Sequence, residues 1–236
     1  VHYDPAPMIG MQPTLQMSED LSKDRLSSMI RDTPVLRERI DDRSRNSGNT
    51  ILHKVFPGGH ITMVGANSPA SLASRPVRVL LADELDRYPP SAGTEGDPLY
   101  LAEQRTKTFW NRKIVVTSTP TIKGKSRIET EYQNSTMGVW HVPCPHCGEM
   151  QTLEWGKIKF DPEKFRERTD RSVTMVCGAC GAVGTETEWK KQSAKGVYIE
   201  EHPERETKGF FINGLASNFS HWEEIVHKFL DAKDDA

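Results

Sequence analysis

Val77-Arg78-Val79-Leu80-Leu81-Ala82-Asp83-Glu84 is the stretch that decides the fold. An apolar run from Val79 to Ala82 stops at two adjacent carboxylates. A run without polar alternation predicts a parallel strand buried on both faces. Such a strand hides its middle and presents its carboxyl end, where open α/β sheets bind ligands. Asp83 and Glu84 then fall at the rim, a pairing suited to nucleotide hydrolysis. Asp83 can hold Mg2+ through its water shell, and Glu84 can orient and deprotonate the attacking water. A strand followed by a charged turn reads the same over so short a span, so the flanking segments decide.

The chain has 236 residues, room for one large domain or a domain plus a small module. A net charge of −2 excludes a globally basic nucleic-acid clamp and leaves local basic patches open. No apolar stretch approaches the ~20 residues of a membrane span, and no signal-peptide pattern is present. The four cysteines fall into two close pairs, which points to metal in a reducing compartment more than to disulfides. The chain opens on Val1, and Asp231–Ala236 trails out of an apparent helix without a stop signal. It reads as a fragment truncated at both ends.

Upstream of the central run, Met8–Met11 predicts a strand ended by Pro13. Ser18 predicts an N-cap, with Glu19 and Asp20 in the first turn of a helix whose apolar side is Leu21, Leu26, Met29 and Ile30. Arg37–Asn49 reads as a surface connection. Ile51–Phe56 and His60–Val64 flank Pro57-Gly58-Gly59 as a hairpin. Ser68 caps a short helix with Pro69 at its first position. Downstream, Asp97-Pro98 starts a helix with Leu99, Ala102, Thr106, Phe109 and Trp110 on one core-facing side. Lys113–Thr117 predicts a second buried strand, ending in Ser118-Thr119-Pro120. Hydroxyl residues there can hydrogen-bond a γ-phosphate or the attacking water; taken alone, they read more simply as a turn before Pro120.

Cys144-Pro-His-Cys147-Gly and Cys177-Gly-Ala-Cys180-Gly are paired C-x-x-C knuckles. Each closes a tight turn in which two thiolates reach one ion, and the glycine after each pair permits the turn. Four thiolates complete a tetrahedral Zn2+ shell and leave no open position for catalysis. His141 and His146 are then bystanders. Asp161–Arg171 reads as a solvated insertion between the knuckles. Phe210–Ile212 predicts a strand. Ser220 and Glu223 predict a capping box for a helix turning Trp222, Ile225, Val226, Phe229 and Leu230 inward.

The order of these parts, from the hairpin and Asn67-Ser68-Pro69 through Asp83-Glu84, Tyr88-Pro89 and Ser118-Thr119-Pro120 to the first knuckle, resembles one family. It is the large terminase subunit of tailed bacteriophages, of the GpA type found in lambda-like phages. The resemblance runs from about Met8 to Phe229. It implies a partial P-loop NTPase of ASCE type over 1–136, a mostly parallel sheet with helices on both faces. A zinc-ribbon module follows over 137–190, and 191–236 leads toward a C-terminal nuclease domain. Asp83-Glu84 then corresponds to the Walker B pair and Ser118-Thr119 to the coupling motif. The implied cofactors are ATP, Mg2+ and Zn2+. The implied partners are double-stranded DNA, a terminase small subunit, and a portal on a procapsid. Copies of the chain would form a ring in the host bacterial cytoplasm.

No Gly-x-x-x-x-Gly-Lys-Ser/Thr occurs in the chain, and Gly124-Lys125-Ser126 is a decoy because Thr119 stands where the first glycine is required. Nuclease carboxylates would lie beyond Ala236. The parent is therefore expected to be an ATPase and endonuclease, and this segment alone neither. A helicase-like translocase uses the same acid pair but should carry a second similar domain; a non-enzymatic zinc-ribbon binding module would be indifferent to Glu84. Arg75 and Arg78 are candidate arginine fingers toward a neighbouring subunit, with structural pairing to Asp86 or the sheet rim the preferred role. Lys123, Lys125 and Arg127 are a basic cluster, read first as a solvated loop and second as a contact for DNA phosphates.

Overall fold

The computed structural model describes residues 1–40, 48–72 and 76–234. The chain divides into two units, Val1–Glu129 and Thr130–Ala236.

The first unit is a mixed α/β layer. Five strands are β1 (Pro7–Gln12), β2 (His53–Phe56), β3 (Gly59–Gly65), β4 (Val79–Asp83) and β5 (Lys113–Thr117), in the order β2-β3-β1-β4-β5. β1 runs parallel to both β3 and β4, and β4 runs parallel to β5. β2 alone is antiparallel, closing the expected hairpin on β3 through a turn in which Gly58 takes φ +85°. Ile9 and Met11 from β1, Leu80 and Ala82 from β4, and Leu85 and Leu99 beyond it form one buried cluster. Leu80 is fully buried, and burying a leucine contributes roughly 2 kcal/mol.

Several expectations need correction. β4 is not buried on both faces: Leu80 and Ala82 point into the core, but Leu81, on the opposite face, is 37% exposed. β5 has a hydrogen-bonded neighbour on one side only among the described residues, so its apolar middle is half-buried. Ser18 caps nothing. The helix begins at Leu15 with Thr14 as N-cap, and the buried Ser18 hydroxyl donates to Val64 O at 2.7 Å. That helix continues through a π-wound stretch, Leu21–Leu26, into Ser27–Asp32. The helix Pro98–Gln104 is capped by Asp97 as expected but stops before Thr106. Thr106 is buried, whereas Trp110 lies in a turn and is 95% exposed, not core. Much of the expected surface connection at 37–49 lies outside the described residues.

The second unit has its own core. β6 (Gly138–Pro143) pairs with β7 (Met150–Gln151); β8 (Ile158–Lys159), β9 (Thr174–Val176) and β10 (Val183–Thr185) form a three-stranded sheet. β11 (Val197–Glu200) and β12 (Phe210–Phe211) flank β6. Val142, Phe165, Met175, Trp189, Trp222, Val226 and Leu230 are buried together with Cys144 and Cys177. Asp161–Arg171 is more than a solvated insertion, because Asp161 caps the helix Pro162–Arg166 and that helix sends Phe165 into this core. The final helix, Trp222–Asp234, begins two residues after Ser220, the expected cap. Glu223 pairs with Arg171, and the Trp222 N–H is taken by Glu186 Oε2 at 3.0 Å. Phe229 is partly exposed rather than turned inward, its ring against Trp155. The described residues contain no helix long and apolar enough to cross a membrane.

Candidate functional site

Parallel pairing sets the geometry of the first site. Met11 lies opposite Ala82, and Asp83 lies opposite Thr117, so the carboxyl ends of β1, β4 and β5 finish side by side. Gln12 Nε2 donates to Asp83 Oδ2 at 3.1 Å, and the Thr117 hydroxyl donates to Asp83 Oδ1 at 2.6 Å. Gln12 is itself buried, which fixes the amide. The Asp83 carboxylate is thus aimed by two neutral donors and is only half-buried, with lone pairs left for a further donor.

The chain then turns sharply. Glu84 has φ 58° and ψ 43°, the left-handed region, which costs a non-glycine residue roughly 1–2 kcal/mol. Arg87 N–H donates to Glu84 O at 2.9 Å, closing the short helix Leu85–Arg87, and Arg87 Nε lies 3.3 Å from Glu84 Oε2. Leu85 drives this turn down by burying fully. Tyr88 anchors it, its hydroxyl donating to Met11 O at 3.1 Å. Burial, with the Asp83 charge behind it, pushes the Tyr88 phenol well above its ordinary pKa, so it stays a donor. Strain of this kind at a site-bearing turn is retained only where its surroundings over-determine it.

Ser118 follows Thr117 and accepts the Asp86 N–H on its hydroxyl at 3.1 Å; the neighbouring Thr119 is exposed. The segment Gly124-Lys125-Ser126 makes no phosphate cradle, because the Gly124 N–H is occupied by Glu129 Oε2 at 2.8 Å and Ser126 is buried. Arg78 sits at the opposite end of β4 from Asp83, its Nη2 2.8 Å from Asp4 Oδ2 and its side chain largely covered. It pairs with Asp4, not Asp86. Arg75 lies outside the described residues. Sequence reasoning missed Gln12 and Thr117, and named Asp86 only as a partner for Arg75 or Arg78. The available signal was a polar residue closing each apolar run, which becomes meaningful only once the strands are set side by side.

In the second unit the two knuckles repeat one geometry. Gly148 N–H donates to Cys144 O and Gly181 N–H to Cys177 O, at 3.0 and 3.1 Å. Both glycines take positive φ, 78° and 72°, as the expected turn requires. The four sulfurs lie within 4.8 Å of one another, with Cys144–Cys180 at 4.0 Å and Cys147–Cys177 at 3.8 Å. Four Zn–S bonds of 2.3 Å in a tetrahedron place sulfurs about 3.8 Å apart, so the donor set fits that ion. Burial opposes ionisation of Cys177, yet the Cys180 N–H, the Gln151 amide and the Ala179 N–H bring its pKa down to about 6. Gln151, on β7 after the first knuckle, binds the second at two points: its Nε2 donates to Cys177 Sγ at 3.1 Å and its Oε1 accepts from Gly178 N–H at 3.0 Å. His141 Nδ1 is engaged with Val139 O, and His146 contributes its backbone N–H to Cys144 Sγ.

These features define a mixed α/β protein with a parallel-dominated sheet, an acid pair at the carboxyl rim of that sheet, and a separate four-cysteine cluster. The family model for the phage terminase large subunit gpA, ATPase domain, matches residues 1–198, and the chain belongs to that family. It is 30% identical over 248 residues to the terminase large subunit of Enterobacteria phage P21, covering 95% of this chain and 38% of the relative. It is likewise 30% identical over 245 residues to the terminase large subunit of Escherichia phage lambda, covering 94% and 38%. The chain thus spans 38% of the length of these relatives. The large terminase ATPase domain of Thermus phage P74-26 aligns with 65% of this chain and 57% of its own, at 15% identity and a TM-score of 0.35.

Proposed function

We propose that this chain supplies the hydrolytic rim of a DNA-packaging ATPase of P-loop, ASCE type. The observation that carries the reading is Asp83, aimed by Gln12 and Thr117, immediately before a strained Glu84 at the carboxyl end of a parallel strand. Glu84 is the base that orients and deprotonates water. Asp83 would hold Mg2+ through its water shell, and that ion, when bound with ATP, supplies charge neutralisation at the phosphates. Ser118 and Thr119 act as the coupling motif, Ser118 through its bond to the Asp86 N–H. An arginine finger, if this chain provides one, falls to Arg75 rather than Arg78, which Asp4 occupies.

Residues 1–136 form part of the ATPase domain. Residues 137–190 form a zinc-ribbon module in which Cys144, Cys147, Cys177 and Cys180 hold one structural Zn2+, supported by the sulfur spacing. Residues 191–236 lead toward an endonuclease domain. The intact protein works as a ring on duplex DNA with a small subunit and a portal on the procapsid, in the host bacterial cytoplasm. The chain contains no glycine-rich phosphate loop, and positioning of the phosphates supplies much of the rate in phosphoryl transfer. Residues 1–236 alone are therefore expected to be inactive.

The test measures phosphate release from three proteins: residues 1–236, the full-length protein, and the full-length Glu84→Gln variant. Turnover is expected only in the full-length protein, falling by roughly two to four orders of magnitude in the variant while ATP still binds. Wild-type turnover by Glu84→Gln would assign the base to another residue.

A further inference from the structure

Loop 121–128, whose last two residues already open the helix Arg127–Gln133, lies beside the acidic rim, and one carboxylate holds both of its ends. Asp86 stands two residues after Glu84 on the same turn. Its Oδ2 accepts from the Thr121 N–H at 2.9 Å and from the Thr121 hydroxyl at 3.0 Å, and its Oδ1 accepts from the Ile128 N–H at 2.8 Å. Burial opposes charge on this carboxyl, but those donors, with the Ser126 hydroxyl, outweigh it and hold the pKa below the ordinary range.

Between its two anchored ends the loop folds on itself. Lys125 N–H donates to Ile122 O at 2.9 Å, Gly124 takes φ +75°, and buried Ser126 accepts the Glu129 N–H at 3.1 Å. Ile122 stands 63% exposed at the tip, and Lys123 and Lys125 are exposed on either side of Gly124. Arg127 is engaged with Asp97 and so belongs to the support rather than the tip. No Asp or Glu occurs between Glu103 and Glu129, although the whole chain carries net negative charge. A solvated lysine pair needs no anchoring. Here one side chain on the Glu84 turn closes both ends of the loop, which fixes where the two cations are presented.

We propose that loop 121–128 contacts the phosphate backbone of duplex DNA through Lys123 and Lys125, with Asp86 as the positioning residue that ties this contact to the turn bearing Glu84. The choice of polyanion rests on the packaging reading above. Linkage is reciprocal, so DNA held by the loop biases the Glu84 turn and the state of that turn biases the hold on DNA.

The experiment titrates the full-length protein with a short labelled DNA duplex at several salt concentrations. Each phosphate contact contributes about 0.9 to the slope of log affinity against log salt, so Lys123→Gln/Lys125→Gln is expected to flatten it by about 2. Asp86→Asn replaces one acceptor oxygen by an NH2 that opposes a loop N–H. It is expected to weaken binding in the wild-type background and to add nothing once both lysines are gone. An unchanged slope in the double-lysine variant overturns the proposal. So does an Asp86→Asn effect of equal size in both backgrounds, which is what a general loss of packing would give. Either result leaves the packaging reading standing if Glu84→Gln still abolishes turnover. Failure of the wild-type protein to bind duplex at all defeats both.

Discussion

At the scale of single residues, the orientation of the Asp83 carboxylate is set by its neighbours more than by the acid itself. Its two oxygens are oriented by Gln12 from one flanking strand and Thr117 from the other. Thr117→Val keeps the β-branched shape the strand prefers and removes the 2.6 Å bond. Losing a group that orients a metal-holding carboxylate typically costs 10–100-fold, so turnover in the full-length protein should fall by about that factor. Midpoint titrations with Mg2+ should shift to higher concentration in parallel; a fall in turnover without that shift would place Thr117 elsewhere in the mechanism. The placement of Asp83 and Glu84 at a strand's end was legible in the sequence because the chain itself carries their adjacency. Gln12 and Thr117 were not, because they meet Asp83 across 71 and 34 residues of chain through strand register alone.

At the scale of elements, the legible pieces were those whose ends are marked locally. The strand at Met8–Met11, the hairpin, the Val79–Asp83 and Lys113–Thr117 runs, and the Pro69 and Pro98 helix starts all emerged within a residue or two. Where tertiary contact outbid a local signal, the reading failed. Ser18 is a good capping residue, but a buried Val64 carbonyl claimed its hydroxyl. The final helix is capped from outside: Glu186, four residues before Lys190 and 2.6 Å from it, accepts the Trp222 N–H. Burial opposes its charge, but Lys190 and that N–H prevail, so its folded pKa is depressed. A depressed carboxylate contributes stability above its unfolded pKa of about 4.3, lost as pH falls through the lower folded value. Glu186→Gln should destabilise the second unit by about 0.5–2 kcal/mol at neutral pH, with the gap from wild type closing as the solution is acidified. Thermal melts across that pH range check it; a gap independent of pH would mean that the charge of Glu186 is not involved.

At the scale of the whole molecule, each unit has its own large hydrophobic cluster as a centre of stability, and of these two only that of the second unit contains cysteine sulfurs. Cys144 and Cys177 are 3% and 1% exposed and pack among the aromatic residues of that core. Purified under reducing conditions, the protein should carry one zinc per chain by elemental analysis, and the absence of stoichiometric zinc would refute the proposed site. Cys144→Ser should lower the melting temperature of the second unit, since metal binding and folding are one equilibrium in such modules.

The other two cysteines of the cluster, Cys147 and Cys180, are exposed. In the proposed zinc site, half of the coordination shell would therefore be open to attack while the other half sits in the core. A chelator can displace ligands one after another from outside without waiting for the unit to open. Zinc should then leave at a rate that climbs in proportion to chelator concentration, instead of levelling off at a ceiling set by unfolding.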